Sequence, residues 1–198
     1  MSIKRFDWQW NVPEDINIGH LCSSIHLGSD VENKLAMIVE NDESGTSQIT
    51  FKELAKKTDQ FAQCLLNFGL KREDRVLIRL PNSLDYPISF LGAMKAGCIS
   101  VPTSTLLTAE EVVYLAKDSS ATALVTDKKM WESIDESLLP HELKFIFVTG
   151  SGDVKPSNQF QVIELQSKLE EMGDVNVKVR THANDPAYLV YTSGTTGY

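Results

Sequence analysis

The chain alternates between two spacings of apolar residues, one typical of strands and one typical of helices. Residues 35–39 and 46–49 are short strand-like segments separated by a turn-rich stretch, which predicts a β-hairpin. The helix that follows has clearly marked ends: Thr50 and Glu53 form a capping box at its start, and Gly69 stands where a helix would end. Apolar residues recur between these ends at Phe51, Leu54, Phe61, Leu65 and Phe68.

The same alternation of strand and helix continues to the end of the chain. The further predicted strands are residues 76–80, 99–101, 123–125, 144–148 and 187–191. The further predicted helices are residues 84–96, closed by Gly97, residues 108–117, opened by a capping box of Thr108 and Glu111, and residues 163–172, closed by Gly173. Strands and helices that take turns predict an α/β fold with a largely parallel sheet covered by helices on both faces.

Two regions are expected along the chain. Residues 1–34 mix aromatic and polar types without a steady period, and they are predicted to form an irregular N-terminal arm that lies on the domain. Residues 35–198 are predicted to form the α/β domain. The chain has neither an internal repeat nor a long low-complexity tract, so a repeat architecture is not expected.

Composition and charge favour small-molecule chemistry. Of the 198 residues, 42% are hydrophobic and 23% are charged, which is typical of an ordinary globular domain with a real core. The formal net charge of −8 argues against a nucleic-acid partner, because phosphate backbones are bound by excess lysine and arginine. The apolar runs are too short to cross a bilayer, so no membrane span is expected.

Cytoplasm is the predicted compartment. The start of the chain turns polar directly after two basic residues and lacks the apolar stretch of a secretory signal. The cysteines Cys22, Cys64 and Cys98 are odd in number and lack paired spacing, which is typical of reduced thiols. Cys98 is expected to be a small buried residue rather than a reactive one.

No metal site is predicted. His20, Cys22 and His26 lie close together in the sequence, but their spacing matches no standard zinc pattern and no second cysteine pair follows.

The residues after the last predicted strand suit phosphate binding. Gly194 and Gly197 can adopt positive φ, so consecutive backbone N–H groups can point inward, and Thr192, Ser193, Thr195 and Thr196 add hydroxyl donors. The spacing of a Walker A loop is absent. On these six residues alone, a simple Ser/Thr/Gly turn or a disordered tail is an equal alternative.

Three segments, in order, resemble the motifs of one family. Tyr191-Thr192-Ser193-Gly194-Thr195-Thr196-Gly197 resembles the signature of the AMP-forming acyl-CoA synthetases and adenylation enzymes, the adenylate-forming superfamily. Residues 49–54 and 95–102 are similar to two earlier motifs of that family. Residues 105–110 are most similar to benzoate-type and related aryl or medium-chain acyl-CoA ligases.

The resemblance implies a function for the whole enzyme. The fold is expected to be the N-terminal subdomain of the large adenylate-forming domain, and residues 192–197 are expected to hold the β- and γ-phosphates of ATP. A small carboxylic acid would attack the α-phosphate to give an acyl-adenylate, usually with Mg²⁺, and coenzyme A would then take the acyl group as a thioester.

The sequence also departs from the family pattern. The family motif continues beyond the position of Tyr198 into Pro-Lys-Gly, so the chain is expected to be an N-terminal fragment that is inactive alone and prone to self-association. Residues 49–54 and 97–102 are interpreted as scaffold rather than as catalytic groups. Two alternatives stay open: an adenylation enzyme that loads a carrier protein, and a non-catalytic α/β module that binds a nucleotide or a protein.

Overall fold

Helices and strands alternate in the computed structural model, which describes residues 9–41, 45–150 and 152–192. The helices are α1 (Ile18–Ser23), α2 (Phe51–Asn67), α3 (Asp85–Lys95), α4 (Ala109–Asp118), α5 (Lys128–Glu132) and α6 (Leu165–Glu171), with a 3₁₀ turn at Glu136–Leu138. The strands are β1 (Leu35–Asn41), β2 (Gly45–Thr50), β3 (Arg75–Arg79), β4 (Ile99–Pro102), β5 (Ala121–Asp127), β6 (Phe145–Thr149) and β7 (Gln161–Glu164).

The strands form the two sheets that the sequence predicts. β1 and β2 pair as an antiparallel hairpin, and β3 to β7 form a parallel sheet in the order β4-β3-β5-β6-β7. The order places β3 inside the sheet, because the chain leaves β3 towards β4 and then crosses back to β5 on the other side. This doubly wound order creates a topological switch between β3 and β5.

Both faces of the parallel sheet are buried, which confirms the predicted α/β fold. Along β3, Val76 and Ile78 point to one face, and Leu77 points to the other. The first face packs against α2, α3 and α6, and the second packs against α4 and α5. Among the helices in the described ranges, none combines the length and the apolar character that crossing a bilayer requires.

Both predicted capping boxes are present. The Thr50 hydroxyl accepts from the Glu53 backbone N–H, and the Glu53 carboxylate accepts from the Thr50 backbone N–H at the start of α2. Thr108 and Glu111 repeat the arrangement at the start of α4. Gly97 follows α3 with φ +79°, a conformation that L side chains rarely adopt.

The segment before β1 is less irregular than predicted, because it contains α1. The Asn17 side chain caps this helix by accepting from the His20 N–H. Gly19 allows α1 to approach α3 closely: a Cβ at Gly19 would lie 2.4 Å from the Leu91 carbonyl oxygen. A helix of six residues is too short to leave a periodic signal in the sequence.

The predicted helix over residues 163–172 begins too early. Residues 161–164 form β7, in which Ile163 pairs with Phe147 of β6. The carboxylate of Glu164 accepts from the backbone N–H groups of Gln166 and Ser167, so Glu164 caps α6 instead of lying within it.

A buried ion pair joins three helices beneath the first face of the sheet. Lys95 is fully buried at the end of α3, and its Nζ lies 3.1 Å from Oδ1 of Asp59 on α2. The same ammonium donates to the hydroxyls of Thr58 at 2.9 Å and of Ser24 at 2.7 Å. Asp59 also accepts from the Val177 backbone N–H. Burial lowers the pKa of Lys95, and the Asp59 carboxylate counteracts that effect.

We expect Asp59→Asn to lower the free energy of unfolding by about 3–5 kcal/mol, because it leaves the Lys95 ammonium buried without its counter-charge. Urea unfolding of the purified chain measures this change. Asp174→Asn is the matched control, since it breaks the exposed pair with Lys56 and should hardly move the urea midpoint. Equal effects of the two substitutions would contradict the assigned role of Lys95.

The three cysteines should differ sharply in reactivity. Burial raises the pKa of Cys64 and of Cys98 to about 12, whereas Cys22 is exposed. A thiol is modified through its thiolate, so we expect one fast-reacting thiol per folded chain near neutral pH and three after unfolding in urea. Titration with an aromatic disulfide reagent counts them, and Cys22→Ser should abolish the fast phase.

Candidate functional site

The predicted phosphate loop lies almost entirely outside the described residues. Of its six residues, the structure describes only Thr192, which is exposed. Ser193, Gly194, Thr195, Thr196 and Gly197 lie outside the described ranges, so their predicted role stays a prediction. The structure does describe the segment that leads into the loop, residues 187–192, which we call the stem.

The stem runs beside β4, in the same direction as that strand. The Ser100 N–H donates to the Ala187 carbonyl at 3.1 Å, and the Leu189 N–H donates to the Ser100 carbonyl at 2.9 Å. Tyr188 and Ser100 therefore form a parallel bridge at the outer edge of the sheet. The Tyr188 ring also contacts Phe90 of α3, with 6.0 Å between the ring centroids.

The prediction of a buried strand over residues 187–191 is wrong. The stem makes a single bridge instead of a ladder, and Tyr188, Leu189 and Val190 are 54%, 40% and 52% exposed. Their apolar character follows a strand-like pattern, but they lie outside the edge strand β4, where no described element covers their outer side.

Tyr191 fastens the end of the stem to α4. Its hydroxyl donates to the Asp118 carboxylate at 2.6 Å, and its ring packs against the apolar cluster on the second face of the sheet. Burial is the largest cause that raises the pKa of Tyr191, and the hydrogen bond to Asp118 adds to it. Thr192 is thus adjacent to an anchored residue.

A second group of polar residues lies at the carboxyl end of the sheet, and no sequence motif predicts it. Arg79 ends β3 and is paired in register with Thr126 of β5. Arg79 is 6% exposed, and its Nη2 donates to the Leu107 carbonyl. Burial lowers the pKa of Arg79, and the Asp127 carboxylate counteracts that effect. The available signal was a cation inside an otherwise apolar strand, residues 76–80.

The other residues singled out in the sequence contribute to the stability of the fold. Lys95 belongs to the buried ion pair, and Cys98 is buried as predicted, with its thiol 3.5 Å from the Lys71 carbonyl. Ile49 and Leu54 are core residues. Within the described ranges, no three side chains of histidine, cysteine, aspartate or glutamate come together as a candidate metal site.

Comparison with known proteins finds several CoA ligases among the relatives of this chain. The family model described as "AMP-binding enzyme" matches residues 29–198. A medium/long-chain-fatty-acid–CoA/3-oxocholest-4-en-26-oate–CoA ligase of Mycolicibacterium smegmatis is 30% identical over 185 residues, which are 92% of this chain and 32% of that protein. A 4-hydroxybenzoate–CoA/benzoate–CoA ligase of Rhodopseudomonas palustris is 32% identical over 151 residues, 75% of this chain and 27% of that protein.

A solved structure shares the fold. The crystal structure of the anthranilate CoA ligase AuaEII in complex with anthranoyl-AMP superposes with a TM-score of 0.78 at 23% identity, covering 94% of this chain and 34% of that chain. The chain thus spans about a third of the length of these proteins. Because the family model covers residues 29–198, which is most of the chain, the chain belongs to the AMP-binding enzyme family.

Proposed function

We propose that this chain is the amino-terminal part of a longer ATP-dependent, AMP-forming carboxylate–CoA ligase. The observation that carries the proposal is the family match over residues 29–198, which includes the candidate phosphate loop and its stem. The chain spans about a third of its relatives, so the groups that complete the active site would come from residues beyond those described.

This chain would contribute the phosphate-binding loop, residues 192–197, held in place by the stem. The bridge to Ser100 and the hydrogen bond from Tyr191 to Asp118 fix the stem at two points before Thr192. A loop that begins from a fixed point loses less conformational freedom when it closes on a ligand. The hydroxyls and backbone N–H groups of residues 192–197 would then hold the β- and γ-phosphates of ATP.

The reaction would be two successive transfers. A carboxylate oxygen of the substrate bonds to the α-phosphorus of ATP while the bond to pyrophosphate breaks, and the thiolate of coenzyme A then displaces AMP from the acyl carbon. Holding the departing pyrophosphate in line favours the first transfer through positioning and charge neutralisation. Mg²⁺ would enter with the phosphate oxygens and add positive charge there.

The substrate would be a small carboxylic acid, and the relatives point to two types. The two ligases compared above act, by their names, on fatty or steroid-derived acids and on benzoates. We propose an apolar aliphatic or aromatic acid and the cytoplasm as the compartment. A carrier-protein-loading adenylation enzyme is the alternative that shares the first transfer, and the acceptor of the acyl group separates the two.

The protein expressed from its complete reading frame should exchange labelled pyrophosphate into ATP only when a suitable carboxylic acid is present. We expect the double substitution Thr195→Val and Thr196→Val to slow this exchange about a hundredfold, by analogy with the loss of donors that stabilise transition-state charge. Thr46→Val in the exposed hairpin is the matched control and should leave exchange unchanged. The 198-residue chain alone should show no exchange.

Each outcome bears on a different claim. Exchange that the loop variant leaves intact would refute the role of residues 192–197. Wild-type protein that exchanges with neither fatty nor aromatic acids would refute the proposed substrate class, and exchange with no carboxylic acid would refute the ligase assignment. Thioester formation with a carrier protein but not with coenzyme A would favour the alternative.

The anchor at Tyr191 can be tested in the chain itself. Asp118→Asn removes the negative charge beside the Tyr191 hydroxyl, so we expect the pKa of Tyr191 to fall towards that of an ordinary tyrosine. A pH titration of the Tyr191 ring resonance by NMR measures the shift. Asp174→Asn, on the face of the sheet away from α4, should leave it unchanged. An unchanged titration in Asp118→Asn would contradict the anchor.

A further inference from the structure

The carboxyl end of the parallel sheet has an arginine whose hydrogen bonds are incomplete. In doubly wound sheets, ligands bind outside the carboxyl ends of the strands, at the switch between strands whose connections leave in opposite directions. Here the switch lies between β3 and β5, since α3 follows β3 on the first face and α5 follows β5 on the second. Arg79 is the last residue of β3 and lies at this point.

The guanidinium of Arg79 is buried with most of its donors unused. Nη2 donates to the Leu107 carbonyl, but Nε and Nη1 have no hydrogen-bond partner among the described residues. A guanidinium carries five N–H donors and stays charged at any physiological pH. Leaving such a group buried and unpaired is costly, and an orphaned buried polar group in a native fold calls for a partner such as a water or an ion.

The carboxylate that acts electrostatically on Arg79 does not complete these bonds. Asp127 at the end of β5 is the acidic residue that acts electrostatically on Arg79. Its Oδ1 accepts from the Met130 N–H at 2.7 Å as the cap of α5, and among the described residues neither Nε nor Nη1 of Arg79 donates to it. Thr126, the register partner of Arg79, is fully buried on the same face, and its hydroxyl makes only a long 3.5 Å contact with the Asp127 carbonyl.

The carbonyl of Leu107 accepts from one N–H group of Arg79, and the loop that carries Leu107 covers the guanidinium. The loop 103–108 follows β4 and lies against Arg79 through the Leu107 carbonyl, while Leu106 in the same loop is 91% exposed. Because Arg79 is only 6% exposed beneath this loop, a ligand would reach Nε and Nη1 only if the loop moved on binding, as binding-site loops do in some proteins.

We propose that Arg79 binds an oxyanion of a small molecule, a phosphate or a carboxylate, at the carboxyl ends of β3 and β5. The fork of N–H groups on arginine matches both anions geometrically, and the Thr126 hydroxyl beside it can add a donor. This site is separate in sequence from residues 192–197, and it does not require the ligase function: an anion can bind Arg79 whether or not the loop grips ATP.

The test is anion-dependent stabilisation of the purified chain. A ligand that binds the folded state raises the unfolding midpoint in proportion to its affinity. Sodium pyrophosphate and sodium benzoate are titrated separately at constant ionic strength, with sodium chloride as the balancing salt. We expect at least one of the two anions to raise the midpoint of the wild type, and Arg79→Met to lower the affinity roughly tenfold or more.

Two controls separate this site from other anion contacts. Arg180→Met removes an exposed arginine that is paired with Asp15, and it should keep the full response. Because residues 192–197 are themselves proposed to hold phosphates, the Thr195→Val, Thr196→Val double variant is measured with and without Arg79→Met. The loss of response that Arg79→Met causes should persist in that background, whereas a response that the loop variant abolishes and Arg79→Met leaves intact would assign the anion to the loop and overturn the proposal. A response to pyrophosphate alone identifies phosphate as the ligand group, and a response to benzoate alone identifies carboxylate.

A direct measurement covers the case in which Arg79→Met does not fold. In the wild type, the Nε–H resonance of Arg79 should shift on addition of the anion that stabilises the protein, and the Nε–H resonance of Arg180 should not. No stabilisation of the wild type by either anion, or an unshifted Arg79 resonance, would overturn the proposal.

Discussion

The burial of both faces of the parallel sheet is the constraint on which the rest of the structure depends. The inner strands β3, β5 and β6 present apolar side chains on both sides along most of their length, so their polar side chains lie near the strand ends. Arg79 and Thr126 obey this rule at the carboxyl end of β3 and β5. The stem differs from these strands, since it lies outside β4 and its apolar side chains Tyr188, Leu189 and Val190 stay partly exposed.

The sequence predicted what local chemistry controls. Capping boxes at Thr50 and Thr108 mark helix starts because the bonds that satisfy the first N–H groups lie within four residues of each other. The central strands were also predictable, since burial on two sides leaves unbroken apolar runs. The motif around residues 192–197 could be recognised by resemblance, although its geometry lies outside the described residues.

The failures arose where distant contacts decide the structure. α1 depends on the close approach of Gly19 to α3, a contact across about seventy residues that no local pattern reveals. The apolar run 187–191 was predicted to be buried because sequence periodicity cannot distinguish a central strand from a segment beyond the sheet edge. For Arg79, the cation itself was visible in the sequence, but its unused donors required the surrounding atoms.

Lys95 and Arg79 are both buried cations, but the groups around them indicate different roles. The Lys95 ammonium has the Asp59 carboxylate at 3.1 Å and two hydroxyls within 2.9 Å, so its charge is compensated by the fold and its role ends with holding three helices together. Arg79 has one carbonyl and a carboxylate that is engaged elsewhere. Buried charges in native folds are normally paired, as that of Lys95 is. The unpaired donors of Arg79 are therefore best explained by a partner that comes from outside the protein.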